Sequence, residues 1–169
     1  VKKLRDLNRK TDIRDRAPVD LQQTLEGVLT LTKNRFFDQK IVPGFLYQVI
    51  PPVVMASRDQ LQQVFLNLVM NALDAQPDGG QVFIDIIPTL EPAGFTVKIR
   101  DSGSGLDPST RDHLFDPFFS TKDDGLGLGL YISRTIIDDH EGTIDVESEM
   151  GEGTEFSIWL PGMNMEGEE

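Results

Sequence analysis

Residues 58–75 read Arg58-Asp59-Gln60-Leu61-Gln62-Gln63-Val64-Phe65-Leu66-Asn67-Leu68-Val69-Met70-Asn71-Ala72-Leu73-Asp74-Ala75. Leu61, Val64, Phe65, Leu68, Ala72 and Leu73 recur at helical spacing and give one apolar face, which should turn to a core. Gln63, Asn67, Asn71 and Asp74 follow steps of four, four and three, so a polar line runs along another face. Asparagine inside a helix is mildly unfavourable, by roughly half a kcal/mol against alanine. A lone helix with such a line is ordinarily just solvated on that side. The neighbours decide whether it means more. Ser57 and Gln60 form a Ser-x-x-Gln capping box at the start, and Pro77-Asp78-Gly79-Gly80 stops the helix.

Upstream, Pro18 and Asp20 open another helix, with Leu21, Leu25, Val28 and Leu29 as its stripe to about Arg35. Residues 41–50 have strand character, broken at Pro43-Gly44 and ended by Pro51-Pro52. Downstream, strands are expected over 81–87 and 95–101, joined around Glu91-Pro92-Ala93-Gly94. Phe95, Val97 and Ile99 alternate with polar neighbours as in a half-buried strand. Residues 102–129 are rich in Gly, Pro, Ser and Asp and read as one long loop, the kind that usually carries function. A helix over 130–140 and strands over 143–148 and 154–160, turning through Gly151-Glu152-Gly153, follow.

Three helices and about five strands, with hairpins on both sides of the long loop, point to an α/β (α+β) fold with helices packed on a sheet. Its sheet should be mixed and mostly antiparallel, with the three helices on one face. The domain is expected to run over residues 18–161, with 162–169 as an acidic tail. Residues 1–17 carry Val1, Leu4 and Leu7 at helical spacing and read as the end of an upstream helix or a linker.

The chain has 169 residues, enough for a single core. Its 16 Lys and Arg against 28 Asp and Glu give a net charge of −12, which argues against non-specific nucleic-acid binding. An acidic domain that holds an anion must concentrate its cations and backbone N–H donors locally. The absence of cysteine excludes disulfides and thiolate metal sites and suits a cytoplasmic protein. No apolar run approaches the roughly 20 residues needed to span a bilayer. The chain opens on Val1 and not on Met, so a fragment is expected, and a membrane anchor in the parent would lie elsewhere.

Asp101-Ser102-Gly103-Ser104-Gly105 ends a strand. An ionised carboxylate only accepts hydrogen bonds, so Asp101 suits the exocyclic amine of adenine and repels the oxygen that guanine carries there. Glycines beside it let a flat ring approach the backbone, although an ordinary Asp-Ser-Gly turn has the same residues. In Asp116-Pro117-Phe118-Phe119-Ser120-Thr121-Lys122, the two Phe suggest an apolar anchor for the loop, and Lys122 could reach a phosphate as a point charge. Gly125-Leu126-Gly127-Leu128-Gly129-Leu130 runs straight into a helix, whose N-terminal amides favour an anion. Its leucines fit a lid that packs when closed. No Gly-x-x-x-x-Gly-Lys-Ser/Thr occurs, and Pro108 stands where a dinucleotide fingerprint requires its third glycine.

Taken in order, Asn67-x-x-x-Asn71-Ala72, Asp101-x-Gly103-x-Gly105, Asp116-Pro117-Phe118-Phe119, Gly125-x-Gly127-x-Gly129 and Gly151-x-Gly153-Thr154-x-Phe156 resemble the ordered boxes of sensor histidine kinases. The nitrogen-regulation-type members are the most similar. The resemblance implies the GHKL fold, the two-layer α/β sandwich shared with gyrase and MutL ATPases. It also implies ATP and Mg²⁺ as ligands, and transfer of the γ-phosphoryl to a histidine on an upstream helical hairpin. By it, Asn71 ligates Mg²⁺ and Asn67 lies by the phosphates. Asp101 reads adenine with Gly103 and Gly105 beside the ring, and Thr154 supports it from the next strand. Gly125, Leu126, Gly127, Leu128 and Gly129 form the phosphate-facing lid. The implied partners are the acceptor hairpin, a response regulator and a second copy in the full-length protein.

Related ATPases carry a Glu general base where this chain has Asn67; an amide takes no proton at neutral pH, which favours transfer over hydrolysis. Asp74 stands where many members have a basic residue near the phosphates, so that charge falls partly to Lys122. Glu141 interrupts the family's His-Gly-Gly. His113 and His140 read as structural, the latter set against a helix dipole, so the phosphoacceptor is expected outside this sequence. Two alternatives remain at this stage: another GHKL-type kinase, such as an anti-sigma serine kinase or a mitochondrial dehydrogenase kinase, and a nucleotide-binding module without catalytic output.

Overall fold

The computed structural model describes residues 15–46, 48, 50–123 and 125–163. The expected upstream helix over residues 1–17 and the acidic tail fall largely outside them.

Strand β1 (Ala17–Asp20) leads directly into helix α1 (Leu21–Asp38). Asp20 caps that helix, its carboxylate accepting from the amides of Gln22 and Gln23 at 2.9 and 3.2 Å. The helix outruns its expected end near Arg35 because Phe36 continues the stripe of Leu21, Leu25 and Val28 into the core. Strands β2 (Pro43–Phe45) and β3 (Val53–Ala56) precede helix α2 (Arg58–Asp74). Of the broken strand-like stretch expected over residues 41–50, the described residues contribute β2 alone. Strands β4 (Val82–Leu90) and β5 (Ala93–Asp101) form a hairpin. The expected structureless loop contains a short helix, α3 (Pro108–Asp112), capped by Asp107. Helix α4 (Gly129–Asp139) and the hairpin of β6 (Thr143–Glu149) and β7 (Gly153–Pro161) complete the order.

The main sheet runs β2-β4-β5-β7-β6 and is antiparallel except for β2, which pairs parallel to β4. Helix α2 packs between α1 and α4 and against β5, giving the helical layer of a two-layer sandwich. The apolar face expected for α2 is buried throughout: Leu61, Val64, Phe65, Leu68, Ala72 and Leu73 all lie in the core. A two-stranded sheet of β1 and β3, not anticipated from sequence, ties the start of α1 to the start of α2. Its strands are too short to show alternation; Val19 and Val54 pair across them and are buried.

The capping box of α2 does not form. Ser57 makes no side-chain cap bond, and its backbone N–H donates to Nε2 of His140 at 3.0 Å. Gln60, whose oxygen would have accepted that N–H, is left with Oε1 buried and unpartnered. His140 is only 2% exposed, and its Nδ1 bonds the Ile136 carbonyl at 2.8 Å. The two contacts assign a neutral ring, donating from Nδ1 and accepting at Nε2. Its role is thus a neutral bolt between α2 and α4, and not a cation on a helix dipole.

Burial pushes this imidazole below its ordinary pKa, outweighing the opposite effect of the Ile136 carbonyl. A depressed native pKa means that the unfolded chain binds the proton more readily. The stability from the neutral ring is complete above about pH 6.5 and is lost as pH falls below it. His140→Leu should cost about 1–3 kcal/mol at pH 7.5, because the part-buried Ser57 amide loses its acceptor. Urea titrations at pH 7.5 and 5.5 should show the gap to wild type narrowing at the lower pH; a constant gap would contradict a neutral, buried ring.

Candidate functional site

The C-terminal half of α2, the end of β5, the segment from α3 to α4 and the β6–β7 turn enclose a cleft of about 830 Å³. That volume falls within the range of small-molecule and cofactor sites. Asn67, Asn71, Asp74, Asp101, Gly105, Lys122, Gly125, Leu126, Gly127, Leu128, Gly129 and Thr154 all line it. Gly103 does not. It lies behind the cleft, where a Cβ would come within 2.7 Å of the Ala75 carbonyl and 2.9 Å of Asp101 Oδ1. Its small size serves the packing of β5's end on α2.

Asp101 sits at the end of β5, 6% exposed. Its Oδ1 accepts from the Gly103 amide at 2.8 Å, and the Thr154 backbone also donates to it. Burial raises its pKa despite those two bonds. No cation pairs with it among the described residues. A buried carboxylate with spare acceptor capacity facing a cleft is equipped to receive a donor. The β6–β7 turn holds this end of the sheet in place. Gly105 takes a φ of +71° and packs where a Cβ would sit 1.9 Å from the Glu149 carbonyl. The Thr154 hydroxyl meets Ser148 Oγ at 2.9 Å, and Ser148 accepts from the Leu106 amide at 2.8 Å.

The polar line of α2 faces the opposite wall. Asn67 Nδ2 donates to Ser133 Oγ of α4 at 3.2 Å. The first residue of α4, Gly129, lies so close that a Cβ there would be 2.6 Å from Asn67 Oδ1. Asn71 Oδ1 accepts from Lys122 Nζ at 3.1 Å, and the same ammonium pairs with Asp74 Oδ2. Asp74 also binds Arg35 Nη2 of α1 at 2.9 Å. Burial works against the Asp74 charge, but the bonds from Lys122 and then Arg35 hold its carboxyl below the usual range. The cation-acceptor character of Asn71 and Asp74 is thereby visible in the fold. Arg35 gave no sign in the sequence, because nothing local marks a side chain that bonds across 39 positions.

The segment over the cleft is pinned differently from expectation. Phe118 is 74% exposed and anchors nothing. Leu114 and Phe115 do so, packing on the core, with the Phe115 ring edge-on to Phe156 at 6.4 Å and under the Arg134 guanidinium at 4.5 Å. Phe119 is half-buried, its ring 6.0 Å from that of His113. The Phe118 amide donates to the Gly127 carbonyl at 2.9 Å. Gly127, at φ +69°, tolerates no Cβ beside the Phe118 and Phe119 backbones. The Phe118–Gly127 bond brings together the two motifs on either side of Lys122 as a flap over the cleft, with Leu126 exposed.

With this geometry, residues 56–164 match the family described as histidine kinase-, DNA gyrase B-, and HSP90-like ATPase. The sensor histidine kinase ZraS of Escherichia coli K12 is 36% identical over 143 residues, covering 85% of this chain and 30% of ZraS. The crystal structure of full-length ShkA in complex with AMPPNP aligns with a TM-score of 0.77 and 28% identity, over 87% of this chain and 31% of that one. Histidine kinase ThkA, in complex with the response regulator protein TrrA, aligns with a TM-score of 0.75 and 27% identity, over 90% and 43% of the two chains. The chain spans 15–30% of the first three curated relatives it matches. A cleft between a paired-asparagine helix and a glycine flap, on this sandwich and with these relatives, places the chain in the histidine kinase-, DNA gyrase B-, and HSP90-like ATPase family, as an ATP-binding domain of the histidine-kinase type.

Proposed function

We propose that this domain binds Mg²⁺–ATP and donates the γ-phosphoryl group to a histidine on an upstream helical hairpin of a longer, dimeric, cytoplasmically exposed sensor kinase that serves a response regulator. The observation that carries the proposal is the junction of two acceptor sets in one cleft. Asp101 stands at the floor with unused acceptor capacity, and Asn71 stands on the wall with its amide oxygen already turned to a cation. No helix among the described residues is long and apolar enough to cross a membrane.

The donor set fits the metal: Mg²⁺ takes hard oxygen ligands and is commonly held by one or two protein groups plus phosphates. Asn71 would hold it, and its charge would offset that of the phosphates. Asp101 accepts from the adenine amine. The start of α4, from Leu128 to Leu130, lines the cleft, and the N-terminal amides of that helix favour an anion there. Lys122 exchanges Asp74 and Asn71 for a phosphate oxygen, a competition among surface-accessible groups that needs little rearrangement. Asn67 has its amide committed to Ser133 and offers no base to a water. An incoming neutral imidazole nitrogen needs none: its lone pair forms the N–P bond as the bond from the γ-phosphorus to the bridging oxygen breaks, and ADP leaves.

The decisive experiment mixes this chain with a separately produced acceptor hairpin and γ-labelled Mg²⁺–ATP. Acid-labile phosphate on the hairpin, with hydrolysis by the chain alone near background, is the expected result. Acid-stable label would indicate a serine kinase of the same fold, and tight nucleotide binding without transfer would indicate a module that only binds.

A further inference from the structure

Gln76 follows α2 directly and is 3% exposed. Its side chain bonds at both ends. Nε2 donates to the Ala72 carbonyl at 3.1 Å. Oε1 accepts from the Gln81 amide at 2.8 Å, from the Ser102 amide at 3.2 Å and from Ser102 Oγ at 2.8 Å. Gly80 packs against the same oxygen, where a Cβ would approach within 2.0 Å. The Gln76 carbonyl is itself held from α1 by Gln39 Nε2 at 2.9 Å, which also reaches the Leu73 carbonyl at 2.9 Å.

These bonds join the two halves of the cleft. One end of Gln76 is fixed to the last turn of α2, the turn that presents Asn71 and Asp74. The other end is fixed to Ser102, the residue after Asp101. A carboxamide supplies a donor and an acceptor at opposite corners of one rigid plane, so a single side chain satisfies both. An apolar side chain of the same length would remove the acceptor that all three donors share. The Ser102 amide would keep only the Gln81 carbonyl at 3.2 Å and the Gln81 amide only Ser102 Oγ at 3.0 Å, contacts that tie β4 to β5 but no longer to α2.

We propose that Gln76 is a positioning residue for nucleotide recognition: it sets the distance between the adenine-reading carboxylate and the helix that faces the phosphates. The inference rests on the ATP reading above and deepens it. Loss of the Oε1 acceptor should let Asp101 drift relative to α2, so that base and phosphates no longer engage together. ATP should lose affinity with and without Mg²⁺, because the displaced element is the base-reading one. GTP, which gains nothing from Asp101, should be little affected. A role confined to fold stability would lower the unfolding temperature but leave the ATP-to-GTP affinity ratio of the folded protein unchanged.

The test is calorimetric titration of ATP and GTP at low temperature into wild type, Gln76→Met, Gln76→Glu and Ser102→Ala, each checked for a folded NMR amide spectrum. Gln76→Met should weaken ATP roughly tenfold and reduce the ATP-to-GTP ratio in proportion. Gln76→Glu keeps the acceptor for all three donors but loses the bond to the Ala72 carbonyl, so it should recover only part of the preference. Ser102→Ala removes one of those donors and should reduce the ratio about two- to threefold, the share of one hydrogen bond among several. A folded Gln76→Met with the wild-type ratio overturns the inference. Should Gln76→Met fail to fold, an unchanged ratio in Ser102→Ala overturns it instead. Failure of the wild-type chain to bind ATP at all would overturn the functional reading, and this inference with it.

Discussion

Asp101→Ala is expected to abolish the preference for ATP over GTP and to weaken ATP binding by roughly 10- to 100-fold, the worth of a hydrogen bond to a charged acceptor. The reason is steric as well as electrostatic. Asp101 is buried at the strand end, held by the amides of Gly103 and Thr154, with no cation paired to it among the described residues. A base that brings an N–H completes its shell, whereas one that brings a carbonyl oxygen places two acceptors face to face. Calorimetry with ATP and GTP in parallel checks this, and an unchanged preference would remove Asp101 from base recognition.

The same burial gives an independent stability signature. The native carboxyl has a raised pKa, so the folded state holds the proton more tightly than the unfolded chain does. Stability from this group is therefore full below its unfolded pKa of about 3.9 and is lost as pH rises through the native value. At pH 7 and without nucleotide, the charged group costs stability. Asp101→Asn should accordingly raise the unfolding midpoint at pH 7 while destroying adenine preference, and the gain should shrink on acidification. A side chain kept for folding would show the opposite sign.

Asn71→Ala is expected to weaken Mg²⁺-dependent nucleotide binding by at least ten- to hundredfold, since even residues that only orient a metal's ligands cost that much. Binding measured in excess chelator should change little. The fold should be nearly indifferent: Asn71 is only half-buried, and the hydrogen bond shown for its side chain comes from Lys122, which retains Asp74. Equal losses with and without the metal would show that Asn71 contacts the nucleotide directly, or that its loss frees Lys122 to rearrange the flap.

Much of this molecule is written in local pattern. The apolar stripe from Leu61 to Leu73 had to face a core, because a helix repeats every 3.6 residues wherever it is placed. Phe95, Val97 and Ile99 had to be strand for the equivalent reason at period two. Asp101, Asn71 and the glycines from Gly125 to Gly129 could be singled out because each combines a residue type with a backbone or acceptor property that few others have. The ordered boxes then named the family.

Contacts between distant residues escaped. The Ser57–Gln60 box satisfies every local rule, yet the Ser57 amide bonds His140, 83 residues away, because a buried imidazole nitrogen needs that donor. Leu114 and Phe115, and not Phe118, anchor the flap, since the choice among neighbouring apolar side chains depends on where Phe156 and Arg134 stand. At Gly103 the Ala75 carbonyl forbids a side chain, a contact that no local pattern shows. Arg35 and Gln76 carry no motif at all. Periodicity and residue chemistry fix which elements form and which groups can react, while the identity of a hydrogen-bond partner is settled only when folding brings competing donors and acceptors to the same point in space.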